Sequence, residues 1–164
     1  MRFVPLAILV ALAAPASGTS ATPLAPQPTA TSASVSLSST RAGAKPVTLG
    51  IVLAYPMQCG YPGTQPIAIT FPAQQLLPAR IPPTAVLVGG HAPRSVRVSG
   101  RVVDIGFGLV PPPRVMCDVI AIGKLELVFT RAAGLGNPQR AGSYRLAVTR
   151  GPMAFAATYA VRRA

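Results

Sequence analysis

The chain has 164 residues, 50% of them hydrophobic, and sets fifteen Lys and Arg against three Asp and Glu, a formal net charge of +12. Asp104, Asp118 and Glu126 are its only carboxylates and His91 its only histidine. That is little material for the clustered bases, acids or metal cages on which most hydrolases and transferases depend.

The chain opens Met-Arg, followed by an apolar run from Phe3 to Ala14 and then Ala14-Pro15-Ala16-Ser17-Gly18. A cationic start, a run of about 12 apolar residues and an Ala-x-Ala site predict a secretory signal peptide over 1–18, cut after Ala16 or Gly18. The run is shorter than the roughly 20 residues of a permanent span, and Val161-Arg162-Arg163-Ala164 has no apolar run, so no C-terminal membrane anchor is expected. Residues 19–33 are Ser, Thr, Ala, Pro and Gln with few large apolar side chains, the composition of a disordered leader. A folded domain is expected over 34–164.

From residue 34 short alternating runs follow one another. Val35 and Leu37 come first, then Val47, Leu49, Ile51, Leu53 and Tyr55. Ile67, Ile69 and Phe71 repeat the rule, as do Val86 with Val88, Val96 with Val98, and Val103, Ile105 and Phe107. Leu125, Leu127 and Phe129 form another set, Tyr144, Leu146 and Val148 the next, and Phe155, Ala157, Tyr159 and Val161 the last. A period of two predicts half-buried strands, and nineteen prolines and fifteen glycines argue against long helices. About seven to nine such strands predict an all-β, antiparallel β-sandwich. Ser99-Gly100 is read as a two-residue turn that pairs Val98 with Arg101 and Val96 with Val103. Arg97 and Asp104 then become diagonal neighbours on the outer face.

Two cysteines in an exported chain predict a disulfide. Cys59 and Cys117 would close a loop of about 58 residues, worth on the order of 4 kcal/mol in the chain-entropy model; two free thiols are the alternative. Met57-x-Cys59, Met116-Cys117 and His91 are soft ligands of the kind that suit copper. Blue-copper sites take two histidines, however, and a disulfide would leave no thiolate, so neither metal nor cofactor is expected. An extracellular metal-binding protein using His91 and the Met/Cys loops stays as an alternative. No Gly-x-Ser-x-Gly elbow is present. A paired-carboxylate glycosidase would need two of the three acids to converge, yet Glu126 alternates outward between Leu125 and Leu127 and Asp118 sits in a loop. No catalytic residue and no enzyme is predicted.

Thirteen of the fifteen basic residues are Arg. This balance favours acidic partners, or reflects the composition of the coding sequence. Arg97 and Arg145 are predicted outward, and Arg150, Arg162 and Arg163 lie at the ends of the last two strands. These five are the candidate anion-binding residues of a cationic module that would hold anionic wall polymer or polysaccharide. Few aromatics remain for base stacking, so nucleic acid is not expected as a partner.

The segments Ile67-Ala68-Ile69-Thr70-Phe71-Pro72, Ile81-Pro82-Pro83-Thr84-Ala85-Val86-Leu87-Val88, Gly134-Leu135-Gly136-Asn137-Pro138 and Ala141-Gly142-Ser143-Tyr144-Arg145-Leu146-Ala147-Val148 come in a telling order. Over roughly residues 45–150 the chain resembles the immunoglobulin-like β-sandwich modules of secreted and cell-surface bacterial proteins. The resemblance implies a sandwich and an extracellular structural or binding role, and carries over no catalytic residue. Tyr144 would be buried at the start of its strand with its hydroxyl on nearby backbone, as in a tyrosine corner. Asn137-Pro138 would start a turn. The sequence thus predicts a secreted or cell-envelope-associated, non-enzymatic immunoglobulin-like sandwich with one disulfide.

Overall fold

The computed structural model describes residues 32–56, 66–106, 122–151 and 153–163. Nine strands account for nearly all regular structure among them: β1 (Ser32–Leu37), β2 (Leu49–Pro56), β3 (Ile67–Thr70), β4 (Val86–Val88), β5 (Ser95–Ser99), β6 (Val102–Gly106), β7 (Ile122–Phe129), β8 (Gly142–Arg150) and β9 (Met153–Val161). Two single 3-10 turns, Pro83–Ala85 and Arg131–Ala133, are the only helical pieces described. Among the described residues the nine strands and the near absence of helix match the alternating pattern, while β1 begins at Ser32, inside the expected leader.

The strands form two sheets of antiparallel pairs. One has the order β1-β2-β7-β4 and the other β5-β6-β3-β8-β9. Period-two alternation explains what each sheet buries. In β2, Leu49, Ile51 and Leu53 point inward, and Leu127 and Phe129 of β7 meet them from the neighbouring strand. In the second sheet Ile67 and Ile69, Val103 and Ile105, Leu146 and Val148, and Phe155, Ala157, Tyr159 and Val161 supply the opposing layer. Both sets belong to one hydrophobic core, so the fold is a two-layer β-sandwich. Phe71, just past β3, meets Phe129 of the facing sheet edge-to-face, with centroids 5.9 Å apart and planes at 77°, a favoured aromatic geometry. Burying each large core side chain contributes about 1.5–3 kcal/mol.

The β5–β6 turn sits one position later than expected, which moves every cross-strand partner by two residues. Ser99 pairs with Val102, Val98 with Val103 and Arg97 with Asp104. Gly100 and Arg101 therefore occupy the turn. Gly100 has φ +58°, and no described non-glycine residue has a positive φ. A type II′ turn requires positive φ at its first central position only, so the glycine must stand first and Arg101 second. Inner and outer faces are unchanged, but Arg97 and Asp104 now stand directly opposite one another rather than diagonally.

The connections meet at two poles. At one, the chain leaves β2 and β6 and enters β3 and β7. At the other lie the β1–β2 connection (38–48), the β3–β4 connection (71–85), the β5–β6 turn, the β7–β8 connection (130–141) and the residues after β9. These loops form one hydrogen-bonded layer. Val47 N–H donates to Leu135 O (2.8 Å), Gly43 N–H to Pro138 O (2.9 Å) and Asn137 N–H to Ala44 O (2.9 Å). Leu76 and Gly136 exchange two backbone bonds of 3.1 and 2.9 Å, and Thr130 N–H reaches Ala85 O at 2.9 Å. The segment after β9 is stitched in as well, because Ala42 N–H donates to Arg162 O (2.8 Å) and Arg162 N–H to Thr40 O (2.7 Å).

Candidate functional site

Asn137 holds this layer together. It is fully buried, and its Nδ2 donates to Ser39 O (2.7 Å) and Arg41 O (2.8 Å). A buried side-chain amide must find such partners, and these two carbonyls tie the β1–β2 connection to the β7–β8 connection. The expected turn-starting role of Asn137-Pro138 understates this residue. Its neighbour Gly136 is there for close approach, since a Cβ at that position would lie 3.1 Å from Lys45 Cβ and 3.2 Å from Leu76 Cβ. Beneath the layer, buried Gln75 donates from Nε2 to Gly136 O (2.8 Å) and accepts a short hydrogen bond on Oε1 from the Tyr159 hydroxyl. Burial, with a smaller contribution from Tyr144, raises the Tyr159 phenol above its ordinary value.

The same loops carry a concentration of positive charge. The β1–β2 connection presents Arg41 and Lys45, and the β3–β4 connection presents Arg80. Arg101 stands on the hairpin turn, Arg131 and Arg140 on the β7–β8 connection, and Arg162 and Arg163 just past β9. All eight are exposed, and no Asp or Glu occurs anywhere in these connections. Arg41 and Arg162 are direct partners in a parallel bridge, a placement of like charges that is unfavourable without a counterion. Backbone hydrogen bonds tie together the loops that carry these cations, and no acidic side chain lies among them.

The five arginines expected to bind anions are not gathered into one surface. Arg162 and Arg163 belong to the cationic pole and are exposed. Arg145 is exposed on the outer face of β8, opposite Thr158. Arg97 lies on the outer edge of the same sheet and shares an open groove with Arg80, floored by Val96 and Val98. Arg150 is the correction. It is only 4% exposed, because it shares parity with Tyr144, Leu146 and Val148 and so turns inward, at the opposite end of β8 from Arg162. Arg41, Lys45, Arg80, Arg101, Arg131 and Arg140 were missed because nothing local distinguishes them from any other loop cation.

The acids do not converge where they are described. Asp104 lies on the outer face of one sheet and Glu126 on the outer face of the other. Sheets stack about 10 Å apart, so the core separates these carboxylates by more than the about 5–9.5 Å of a glycosidase pair. Exposed His91 pairs through its backbone with Val88. No cluster of three metal-ligating side chains occurs among the described residues. Asp118, Met57, Cys59, Met116 and Cys117 lie outside the described residues, as does the expected signal peptide. Tyr144 fulfils part of its expected role. Its hydroxyl donates to Arg140 O at 2.7 Å, but its ring is half-buried rather than buried and packs at 5.9 Å against Tyr159.

The chain is thus an all-β protein of two antiparallel sheets, and no helix among the described residues is long and apolar enough to cross a membrane. It matches no protein-family model and no curated protein sequence. It is similar to the crystal structure of BslA, a bacterial hydrophobin, with a TM-score of 0.49 and 16% identity over 82% of this chain and 100% of that one. Likeness at this level carries no inference about activity or partners.

Proposed function

We propose that this protein is a non-enzymatic, immunoglobulin-like β-sandwich that is exported and has a structural or binding role outside the cytoplasm. The observation that carries the reading is the segregation of charge, with eight exposed cations and no acid on one hydrogen-bonded pole. Such a surface is built to attract anions, and the two described carboxylates, Asp104 and Glu126, lie on opposite outer faces and do not pair. The strand order supports the immunoglobulin-like reading. β1-β2-β7-β4 follows the A-B-E-D order and β3-β8-β9 the C-F-G order, with the β5–β6 hairpin added beside β3. The Tyr144 bond to Arg140 O at the start of β8 supports the same reading, because it resembles the hydroxyl bond of a tyrosine corner on the sixth strand of such a core.

The reading includes a Cys59–Cys117 disulfide. Pro56 and Ile122 are direct partners in the β2–β7 ladder. Cys59 follows the first by three residues and Cys117 precedes the second by five. At about 3.3–3.6 Å per residue, these two chain lengths permit the about 4.4–6.8 Å Cα separation a disulfide needs.

Export is tested by fractionating expressing cells and sequencing the N-terminus of the recovered protein. The expected result is a mature chain beginning at Ser17 or Thr19 in the envelope or medium. Full-length protein confined to the cytoplasm overturns the reading.

A further inference from the structure

We propose that the cationic pole binds an acidic polysaccharide, with Arg41, Arg162, Arg163 and Arg140 as its central contacts. This deepens the binding role proposed above and rests on it. The topology assembles the site from five separate connections, and buried Asn137 fixes the backbone of one of them through the carbonyls of Ser39 and Arg41. Rigid mounting reduces the ordering cost of binding. Arg41 and Arg162 stand side by side in the bridge between 41 and 162, Arg163 follows on the same segment, and Arg140 accepts the Tyr144 hydroxyl on its carbonyl, which anchors its backbone at the start of β8. Guanidinium groups fork onto carboxylate and sulfate oxygens alike, and several of them on one pole match a polymer with repeated negative groups better than a single small anion.

The surface also selects among polyanions. Single-stranded nucleic acid is held by aromatic platforms on which bases stack. The chain has no tryptophan, and the one aromatic residue in the pole's loops, Phe71, is buried against Phe129. Insertion into a lipid surface calls for exposed large apolar side chains beside the cations. Here Ile81 and Leu135 are buried, and Leu76 and Leu77 are partly covered. An extended, hydrophilic, negatively charged chain is the occupant that remains.

The test uses the mature chain and measures binding at 50 mM salt to heparin as the sulfated probe and to polygalacturonate as the carboxylated one. Neutral dextran and single-stranded DNA complete the series. Two triple variants remove equal charge: Arg41→Gln, Arg162→Gln and Arg163→Gln at the pole, and Arg94→Gln, Lys124→Gln and Arg145→Gln away from it. All six positions are exposed, and matched thermal unfolding checks that both variants stay folded. The expected result is binding to at least one acidic polysaccharide but not dextran. The pole variant should lose at least tenfold in affinity and the distal variant less than threefold. Preference between the two polysaccharides identifies the anionic group read. Equal losses in the two variants show that net charge rather than the pole does the binding, and overturn the proposal. So does failure to bind either polysaccharide, or tighter binding to DNA. None of these outcomes affects the site of N-terminal cleavage, so the export reading stands or falls separately.

Discussion

Replacing Asn137 by alanine should destabilise the domain far more than a polar loop residue ordinarily would. The side chain is fully buried and donates two hydrogen bonds, of 2.7 and 2.8 Å, to the carbonyls of Ser39 and Arg41. Each such bond contributes about 0.5–1.5 kcal/mol net, and a buried acceptor left without a donor costs about 1–3 kcal/mol. Arg41 O retains the Ala44 N–H at 3.2 Å, which offsets part of that cost. The expected loss for Asn137→Ala is about 2–4 kcal/mol. With a urea dependence near the middle of the usual range, about 2 kcal/mol per molar, the unfolding midpoint should fall by about 1–2 M at unchanged slope. Asn137→Asp sharpens the test. It keeps the volume but aims a carboxylate at two carbonyl oxygens, so it should be worse than alanine at neutral pH and should recover as acid protonates it. A loss below about 1 kcal/mol for Asn137→Ala, or an Asp variant more stable than the Ala variant at pH 7, would show that Asn137 does not hold the pole together.

Three further outcomes follow from other parts of the fold. Gly100→Ala meets nothing within 4 Å, yet forces a side chain into φ +58°; it should cost about 1–2 kcal/mol, measured by chemical unfolding, whereas Arg101→Ala in the second turn position should cost almost nothing. The raised Tyr159 phenol, caused first by burial and then by Tyr144, favours the folded state only while Tyr159 stays protonated. The unfolded chain ionises near its ordinary value of about 10 and the folded one higher, so stability should fall as pH rises above about 10. Tyr159→Phe should flatten that decline in an unfolding series from pH 8 to 11, and an unchanged decline would remove Tyr159 as its source. Thiol titration of denatured, unreduced protein should find no free thiol if Cys59 is joined to Cys117, and reduction should lower stability by about 4 kcal/mol; two free thiols would discard the disulfide.

Much of the fold is legible in the chain because strand alternation is a local property. Leu49, Ile51 and Leu53 point one way whichever strand lies beside them, and the inner faces of β3, β6, β8 and β9 follow from the same rule. The parity that buries Leu146 and Val148 also buries Arg150, a consequence available from sequence but masked by its place at a strand end. The hairpin turn was legible only to within one position, and its register to within two residues, since Ser99-Gly100 and Gly100-Arg101 both fit a two-residue turn. The sign of φ at glycine decides between them. Asn137 was legible as a residue between glycine and proline, but not as the buried link between two connections about a hundred positions apart.

Alternation and composition by themselves determined an all-β chain, the two faces of each strand, a large positive charge and scarce acid–base groups. They could not say whether the cations act together. Arg41, Arg80, Arg101, Arg140 and Arg163 span more than a hundred positions, and a sequence window sees each alone. The order of strands in the two sheets brings their connections to one end, and backbone hydrogen bonds between those connections hold them there. Proximity of this kind is set by non-local pairing and core packing rather than by any residue's neighbours in the chain, so only the tertiary structure decided that this protein has a cationic pole.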